Sequence, residues 1–322
     1  MKVFLTGATG FLGGEVARQL RARGDHVVAL VRSPARADSL AELGCSLVEG
    51  DLNGVDAIRS GAEGCDGAIH AAAMYEVGVP RSWRPRMFDA NVRGAERVLD
   101  AAIGANVARI VHISTIGVFG NTEGVVHPGH PTPERRDFLS VYDETKYIAH
   151  RLAEQRAAEG APVTIAAPGA VYGPGDHSEV GGQLDRLRAG KLRFVAFPRT
   201  GFNALHVEDA AAGILLVLEK GEVGATYPLG GEITTLGDML GTAARILGRR
   251  LPPRLPVPMI RMGVPFGRLI GPLMGAPPNM REVVRAADGV TYWASDTRAR
   301  EELGYAPRDL ETGLRQALTS AP

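Results

Sequence analysis

The sequence is poor in the features that mark disulfide-rich and zinc-binding proteins. Its two cysteines are Cys45 and Cys65, and neither belongs to a CxxC motif or to a cluster with histidine. A cysteine-rich scaffold and a cysteine-based zinc site are therefore excluded. We expect two free thiols in a cytoplasmic protein, with one disulfide as the alternative.

A charge of one sign and a long apolar run are also missing. The 36 Lys and Arg residues balance 36 Asp and Glu residues, which gives no general attraction to nucleic acid or to an anionic membrane. The first ten residues lack the apolar segment of a signal peptide. The most apolar late stretch, residues 257–278, contains Arg261 and Arg268 and falls short of the ~20 apolar residues that span a membrane. We interpret it as a short-helix cap over a pocket, with peripheral membrane contact as the alternative.

Short apolar runs alternate with amphipathic stretches through the first 170 residues. The predicted strands are Lys2–Thr6, His26–Val31, Ser46–Glu49, Ala68–His70, Arg109–Ser114 and Val163–Ala167, and the predicted helices are Phe11–Arg23, Pro34–Leu43, Met87–Ile103 and Val141–Ala158. This alternation predicts an α/β fold with a doubly wound parallel sheet of the Rossmann type. After Gly169 the pattern becomes irregular, so we expect a smaller, mixed C-terminal lobe that binds substrate. The expected cofactor domain comprises residues 1–169, with 204–230 returning to it, and the substrate lobe comprises 170–203 and 231–322.

Glycine is abundant, at 41 residues of 322, and three glycines follow the first predicted strand in a functional pattern. In Gly7-Ala8-Thr9-Gly10-Phe11-Leu12-Gly13, Gly7 permits a tight turn and Gly10 lets the backbone approach a pyrophosphate. Gly13 lets the helix pack closely on the strand. The helix N-terminus then offers free N–H groups and a positive dipole end to the anion. Strand, loop and helix occur in the required order, so the sequence predicts a dinucleotide site.

The end of the second predicted strand distinguishes between the two nicotinamide dinucleotides. NAD enzymes usually carry an acidic residue there, which binds the ribose 2′-hydroxyl. No acidic residue occurs between Asp25 and Asp38, and the strand ends with Arg32. Arg32, with Ser33 and Arg36, is suited to bind a 2′-phosphate. We therefore expect NADP, with NAD as the second choice.

The chain resembles the extended short-chain dehydrogenase/reductase family, also called the NAD-dependent epimerase/dehydratase family, over essentially its whole length. The matching motifs, in order, are TGATGFLG at 6–13, GDL at 50–52, HAAA at 70–73, NVRG at 91–94, IST at 113–115, YDETK at 142–146, PGAVYGPG at 168–175, HVED at 206–209 and the closing segment 295–307. Within the family, the chain is most similar to the branch of dihydroflavonol 4-reductases and 3β-hydroxysteroid dehydrogenases, as the segment VRSPAR at 31–36 also suggests.

The resemblance implies how the cofactor is bound. Asp51 and Leu52 flank the adenine, Ala71 to Ala73 line the middle of the cofactor, and Pro168 to Val171 contact the nicotinamide end. Plain core packing remains the alternative for the three alanines. The expected cofactor-binding residues are Gly7, Thr9, Gly10, Phe11, Leu12, Gly13, Arg32, Asp51, Leu52, Ala71, Ala72, Ala73, Tyr142, Lys146, Pro168, Ala170 and Val171.

Tyr142 and Lys146 lie four residues apart on a predicted helix, so both project from one face. A nearby ammonium favours the phenolate form of a tyrosine, so Tyr142 can exchange a proton with an alcohol or a forming alkoxide. The resemblance implies that Lys146 also binds the nicotinamide ribose and that Thr115 is the third catalytic residue, which holds the substrate oxygen. Ser114 is the second candidate for that role. In relatives a residue that matches Asn91 fixes the active-site backbone, with capping or surface exposure as the alternative.

Departures from the family patterns narrow the chemistry. Ile116 and Gly117 stand where sugar-nucleotide 4,6-dehydratases carry an Asp-Glu pair, so elimination of water is disfavoured. Phe202 stands where many sugar-nucleotide enzymes carry a phosphate-binding arginine, which counts against a nucleotide-diphosphate substrate, although Arg186, Arg188 or Arg193 could substitute. Aromatic and apolar residues are expected in pocket loops 74–88, 117–139 and 172–203 and in the cap 257–285. These residues are Met74, Tyr75, Phe119, Tyr172, Phe194, Phe197 and Phe202. Core packing is the alternative for most of them taken singly, but together over a cofactor they favour an uncharged, fairly apolar carbonyl substrate.

The resulting hypothesis is an NADP-dependent oxidoreductase that reduces a ketone by hydride transfer with Tyr142, Lys146 and Thr115. The alternative is an NAD-dependent sugar or sugar-nucleotide epimerase that recycles its bound cofactor. A non-enzymatic redox sensor is disfavoured, because both Tyr142 and Lys146 are present. His127, His130 and His177 show no metal-ligand spacing, so we assign no metal. By analogy with the family we expect a homodimer formed through the helices 87–103 and 141–158.

Overall fold

The structure is a computed structural model, and it describes residues 1–127, 132–264 and 278–319. Within these residues, seven parallel strands form a large sheet. They are β1 (Lys2–Thr6), β2 (His26–Val31), β3 (Ser46–Glu49), β4 (Gly67–His70), β5 (Arg109–Ile113), β7 (Val163–Pro168) and β10 (Thr226–Leu229). Their spatial order, β3-β2-β1-β4-β5-β7-β10, reverses between β1 and β4, as in the Rossmann arrangement. The predicted doubly wound fold is confirmed.

Helices cover both faces of this sheet, which explains the nearly continuous apolar strands. They are α1 (Phe11–Ala22), α2 (Asp38–Glu42), α3 (Val55–Ala62), α4 (Arg84–Phe88), α5 (Gly94–Gly104), α6 (Val141–Ala158) and α8 (Val207–Lys220). One core joins α1 and α8 to the sheet, and a second joins α3, α5 and α6 to its other face. The carboxyl ends of the strands remain free of these layers, and they form the edge where ligands bind in such sheets.

A second, smaller sheet of mixed direction lies beside the large one. Its strands are β6 (Val125–Val126), β8 (Ala170–Tyr172), β9 (Gly201–His206), β11 (Glu232–Thr235) and β12 (Thr291–Ala294). The helices of this lobe are α7 (Glu179–Arg188), α9 (Leu236–Ile246), α10 (Val257–Gly263), α11 (Met280–Ala287) and α12 (Leu310–Thr319). A separate core packs α7, α9 and α12 against β9. Residues 204–206 are thus part of the small sheet, whereas α8 and β10 lie with the large one.

Three local differences from the sequence-based elements have physical causes. The predicted helix Pro34–Leu43 is divided at Ala37 into a 3₁₀ turn (Pro34–Arg36) and α2. Helix α3 was not predicted, because two of its three buried residues are the small Gly61 and Ala62, which give a weak apolar pattern. Around the predicted helix Met87–Ile103, helical backbone runs without a break from Arg84 to Gly104. Its middle, Asp89–Arg93, has the wider hydrogen-bond pattern of a π turn.

Candidate active site

The glycine loop lies between β1 and α1 and is shaped by close backbone approach. Gly7 has a φ of +77°, and a Cβ atom there would lie 2.6 Å from Ala72 N. A Cβ atom on Gly13 would lie 2.1 Å from Gly7 O, so α1 packs against the loop at a distance that only glycine allows. Gly10 precedes α1 without a side-chain cap, and the first turn holds no acidic residue. An uncapped helix N-terminus of this kind fits a pyrophosphate.

The ends of β1 and β4 are joined where the strand order reverses. Thr6 Oγ1 and His70 Nδ1 lie 2.8 Å apart, and Ala71 N donates to Thr6 O at 3.2 Å. Ala71 and Ala72 are half-buried and Ala73 is exposed, so they lie at the surface of this crevice. The position suits a wall of the dinucleotide site, which is where such sheets bind their ligands.

The ends of β2 and β3 extend the same crevice. Arg32 and Arg36 are exposed, and neither side chain makes an ion pair or a hydrogen bond with another described residue. Asp51 is exposed, and its Oδ1 accepts from Asn53 N at 2.8 Å and from Gly54 N. Leu52 packs against Gly94, where a Cβ atom would meet Leu52 Cδ1 at 2.7 Å. Two unpaired guanidinium groups therefore lie beside the expected adenine position.

Residues 168–171 lie at the carboxyl end of β7, next to that of β5. Pro168 is paired with Leu229 of β10, and Ser114 N donates to Ala166 O at 2.7 Å. Ala170 and Val171 begin β8 and are half-buried. The segment thus borders the expected catalytic residues, on the opposite side of the crevice from the glycine loop.

Tyr142 and Lys146 both lie on α6, as the spacing predicts. Lys146 is buried, and its Nζ donates to Ile113 O at 2.7 Å. Burial lowers the pKa of Lys146 to about 8. Tyr142 is half-buried, and its ring stands edge-on to that of Tyr75 with 4.8 Å between centroids. Burial, and then the neighbouring Tyr75 and Asp143, raise the pKa of Tyr142, so the chain alone does not favour the expected phenolate.

The two candidate hydroxyl groups after β5 have different surroundings. Thr115 is half-buried, and its Oγ1 accepts from Gly117 N at 3.2 Å, capping a 3₁₀ turn at Ile116–Phe119. Ser114 is buried, and its Oγ lies 2.8 Å from His150 Nδ1 within the protein. The geometry therefore favours Thr115 as the hydroxyl that reaches substrate.

A buried ion pair joins the Thr115 turn to the start of α6. Arg135 binds Asp143 through both guanidinium nitrogens, at 2.9 and 2.8 Å, and the two side chains are only 6% and 7% exposed. Arg135 Nη1 also donates to the carbonyls of Gly117 and Val118, at 3.2 and 3.3 Å. Sequence analysis assigned no role to either residue: Asp143 lies in the YDETK motif, but Arg135 lies outside every motif and the pairing depends on the fold.

Two other polar side chains position the site from a distance. Asn91 is buried in the π turn, where its side chain bonds Met74 N at 2.7 Å, Met74 O at 3.0 Å and Thr145 Oγ1 at 3.0 Å. Asn91 thus ties the loop after β4 to α6, and the surface alternative is wrong. Glu282 of α11 accepts from Val141 N at 3.0 Å. Its role was not visible in the sequence, since 141 residues separate the two.

Most of the expected pocket aromatics are core residues. Tyr172, Phe202, Phe119 and Phe197 are each less than 9% exposed, so core packing, the alternative that the sequence left open, holds for these four. Tyr172 and Phe202 belong to the core of the small lobe, and Phe119 belongs to the cluster around the 3₁₀ turn, because aromatic burial there is more favourable than exposure. Tyr75 and Phe194 are exposed, and Met74 is half-buried.

The described part of the cap is hydrogen-bonded to two of the expected pocket loops, 74–88 and 117–139. Asn279 N donates to Gly78 O at 2.9 Å, and Arg285 donates to Phe138 O at 2.9 Å. Residues 128–131 and 265–277, which include His130 and part of the cap 257–285, lie outside the described residues. His127 and His177 are exposed. Among the described side chains, no three His, Cys, Asp or Glu residues converge on a metal position, and Cys45 and Cys65 are buried free thiols.

Comparison with known proteins agrees with this geometry. The sequence model of the NAD dependent epimerase/dehydratase family matches residues 3–230. The 4-hydroxy-2-methyl-3-oxo-4-farnesyl-3,4-dihydroquinoline-1-oxide ketoreductase of Stigmatella aurantiaca is 31% identical over 318 residues, which cover 96% of this chain and 92% of that one. The 2-alkyl-3-oxoalkanoate reductase of Stenotrophomonas maltophilia is 29% identical over 344 residues, which cover 100% and 99%.

A solved structure adds the fold. MoeE5 in complex with UDP-glucuronic acid and NAD has a TM-score of 0.77 and 25% identity, and the match covers 99% of this chain and 98% of that chain. Within the described residues, no helix has the length and apolar character required to cross a membrane. The glycine loop, the Tyr142–Lys146 helix and these matches together place the chain in the NAD dependent epimerase/dehydratase family, as an NAD(P)-dependent oxidoreductase of the extended short-chain dehydrogenase/reductase type.

Proposed function

We propose that the chain is an NADP-dependent ketoreductase for a small, fairly apolar substrate. The observation that carries this proposal is the position of the Tyr142 phenol, half-buried against the exposed ring of Tyr75 and one turn from Lys146. Burial and the neighbouring Tyr75 and Asp143 also raise the pKa of this phenol. A group that keeps its proton at neutral pH is suited to protonate the oxygen that reduction generates.

The three catalytic side chains have separate tasks in this proposal. Tyr142 donates its proton to the developing alkoxide, and Thr115 Oγ1 orients the substrate oxygen against it. Lys146 holds the cofactor ribose and stabilises the tyrosinate that remains, which its ammonium favours electrostatically. Bound NADPH supplies the hydride.

The cofactor preference rests on the end of β2. Arg32 and Arg36 are exposed and unpaired among the described residues, and a 2′-phosphate supplies the anion that such guanidinium groups bind. We assign cofactor binding to residues 1–169 and 204–230, and substrate binding to 170–203 and 231–322. The proposed cofactor contacts are those predicted from the sequence, from Gly7 to Val171.

The names of two relatives support a ketone with apolar substituents. One is a ketoreductase for a farnesyl-bearing dihydroquinoline oxide, and the other is a 2-alkyl-3-oxoalkanoate reductase. Tyr75 and Met74 offer an apolar surface beside Tyr142 in this chain. We therefore place the substrate carbonyl at Tyr142 and its apolar part along the 74–88 loop.

A sugar-nucleotide epimerase is the second candidate, favoured by the similarity to MoeE5 with its UDP-glucuronic acid and NAD. Phe202 argues against it, because this side chain is buried in the small-lobe core and offers no charge to a diphosphate. Arg186, a possible substitute for the missing phosphate-binding arginine, is already paired with Glu179 at 3.0 Å.

The experiment is a titration of purified protein with NADPH and NADH, followed by NADPH-oxidation assays with 2-alkyl-3-oxo acids and larger ketones. We expect preferential, exchangeable NADPH binding and ketone-dependent oxidation. Tight NAD that resists removal, together with turnover of a sugar nucleotide, contradicts the proposal and supports the epimerase.

We further propose a cytoplasmic homodimer that pairs α5 and α6 with their copies. Arg156 and Asp100 already hold these two helices side by side, through bonds of 2.7 and 3.1 Å. The molar mass in solution, measured by light scattering, tests the dimer; a monomer contradicts it.

A further inference from the structure

The equal numbers of acidic and basic residues hide an uneven distribution along the chain. No Asp or Glu occurs between Asp185 and Glu208 or between Asp238 and Glu282. These two segments nevertheless contain twelve of the 36 basic residues. The rest of the chain is correspondingly acidic, so the molecule is polarised although its net charge is zero.

The fold brings residues 188–195 of the first segment and residues 249–255 of the second together on the small lobe. Val195 N donates to Pro253 O at 3.0 Å, and Leu255 N donates to Val195 O at 2.9 Å. Arg249 Nη2 donates to Arg188 O at 3.0 Å. A shallow depression of about 300 Å³ lies along this junction, lined by Leu187, Leu192, Arg249, Arg250 and Pro252. We call Lys191, Arg193, Arg249, Arg250 and Arg254 the basic surface.

Most of the basic surface lacks neutralising partners. The side chains of Lys191, Arg193, Arg250 and Arg254 are exposed and make no ion pair or hydrogen bond with any described residue. By contrast, exposed arginines elsewhere are commonly paired within their own helix, as Arg18 is with Glu15 and Arg315 with Glu311. Unpaired cations held close together repel one another, and an anionic partner relieves that repulsion.

Exposed apolar side chains border the basic surface. Helix α10 begins two residues after Leu255, and its Met259 and Met262 are 56% and 70% exposed. Phe194, between Arg193 and Val195, is 41% exposed. Basic residues beside exposed large apolar residues are the combination by which peripheral proteins bind anionic bilayers, since the charges meet headgroups while the apolar groups enter the acyl boundary. An acidic protein would neutralise the basic surface but would leave the exposed apolar side chains without a partner.

This part of the small lobe is also connected to the candidate active site. Arg261 of α10 donates to Asp288 at 2.6 Å, directly after α11. Glu282 of α11 in turn accepts a hydrogen bond from the backbone N–H of Val141, the residue before Tyr142. The exposed methionines and the catalytic tyrosine therefore belong to neighbouring, hydrogen-bonded elements.

We propose that the small lobe docks on an anionic lipid bilayer through the basic surface and α10. Docking is independent of the proposed function; its consequence, direct entry of an apolar ketone from the bilayer, rests on that function. The apolar stretch 257–278 left peripheral membrane contact as an alternative in the sequence. The proposal extends that alternative, because it adds the basic surface, which the zero net charge does not reveal.

The test is co-sedimentation of the whole protein with phosphatidylcholine vesicles that contain phosphatidylglycerol, and with vesicles of phosphatidylcholine alone. We expect binding to the anionic vesicles only, and its loss at about 0.5 M salt, where screening is strong. The variant K191Q/R250Q/R254Q lowers the partition coefficient about a hundredfold, since each basic residue contributes roughly a factor of five. M259S/M262S also weakens binding, because it removes the apolar contribution.

The matched control is R18Q/R151Q/R315Q, which removes three charges that are ion-paired within their own helices. It binds vesicles like the wild type, and circular dichroism verifies the fold of every variant. Absence of vesicle binding, or equal losses in both triple variants, overturns the proposal. So does binding to heparin or to an acidic peptide without binding to vesicles, which assigns the surface to a soluble partner. Vesicle binding without any ketone reduction leaves docking intact and refutes the proposed function instead.

Discussion

At the scale of residues, the proposed chemistry depends on the proton that the Tyr142 hydroxyl carries. Burial and the neighbouring Tyr75 and Asp143 raise the pKa of this phenol, while burial lowers the pKa of Lys146 to about 8. At neutral pH both groups hold their protons in the chain alone, so the Tyr142 hydroxyl has the proton that the proposed reduction transfers to the substrate oxygen.

Tyr142→Phe removes the proposed acid and leaves the ring in place. We expect turnover to fall by roughly 10²- to 10⁴-fold, the usual contribution of a positioned general acid, while NADPH affinity changes little. Steady-state kinetics and a fluorescence titration measure the two quantities. The control is Tyr227→Phe, which removes a hydroxyl group of β10 that donates to Glu302. We expect this variant to keep wild-type activity. Wild-type turnover in Tyr142→Phe would refute the assignment.

Arg32→Ala tests the proposed 2′-phosphate contact. We expect the NADPH dissociation constant to rise roughly tenfold or more, because a charge-assisted hydrogen bond is lost, and the NADH constant to stay the same. Arg315→Ala, an exposed arginine of α12, serves as the control and changes neither constant. Equal weakening of both cofactors by Arg32→Ala contradicts the phosphate assignment.

At the scale of elements, the buried Arg135–Asp143 pair sets the distance between the Thr115 turn and α6. The start of α6 is also held by Ser140, whose Oγ accepts from Asp143 N at 3.0 Å, and by Glu282. The Thr115 turn, through Arg135, and α11, through Glu282, therefore meet at the first turn of the helix that carries Tyr142. We infer that Arg135 is a positioning residue.

Arg135→Met leaves the Asp143 carboxylate buried without its ion-pair partner, so we expect a loss of about 3–5 kcal/mol in the free energy of unfolding. The double variant Arg135→Met/Asp143→Leu recovers part of this loss, because an apolar pair removes both charges together. Urea unfolding of the two single variants and the double variant gives the coupling energy. The double variant still has a lowered kcat at an unchanged KM, since the Thr115 turn is no longer tied to α6. Additive effects on stability, or wild-type kcat in the double variant, argue against the positioning role.

At the scale of the whole molecule, buried histidines beneath the site link stability to pH. His70 and His112 lie 5.6 Å apart, between ring centroids, and both are at most 3% exposed. Burial, and then the charge of Lys146, lower the pKa of His70 to about 3, and the same causes lower that of His112 well below its usual range. Neither ring nitrogen of His112 has a hydrogen-bond partner among the described residues.

The sign of the pH effect follows from these lowered pKa values. Below an unfolded pKa of about 6.5, the unfolded chain binds protons that the folded histidines do not, so stability falls as the pH falls. From pH 7.5 to 5.5 each of the two histidines lowers the free energy of unfolding by about 1.4 kcal/mol. His112→Leu removes one contribution, so its loss over this interval is smaller than that of the wild type by about that amount. Urea unfolding at both pH values measures it, with the exposed His26→Gln as the control; identical pH dependence in His112→Leu and the wild type refutes the linkage.

Local pattern was enough to predict most of the large sheet and the helix that carries Tyr142 and Lys146. Strands β1, β2 and β3 and helix α6 have the predicted bounds, because continuous apolar strands and an amphipathic helix with its own cap are properties of neighbouring residues. The glycine loop is of the same kind, since its turn and close packing are encoded within seven residues.

The family, the fold class and the chemical groups available for hydride transfer can thus be read from the order of the residues. Which of these groups meet depends on how the elements pack. This packing turned Ser114 toward His150 and left Thr115 as the candidate for substrate contact, buried Phe202 and Tyr172 in a core, and brought Arg135 and Glu282 to the start of α6. It also gathered two basic segments onto one surface of a chain with no net charge. The physical reason is that burial, ion pairing and electrostatic potential depend on separations in space, and these separations are set by packing between elements rather than by distance along the chain.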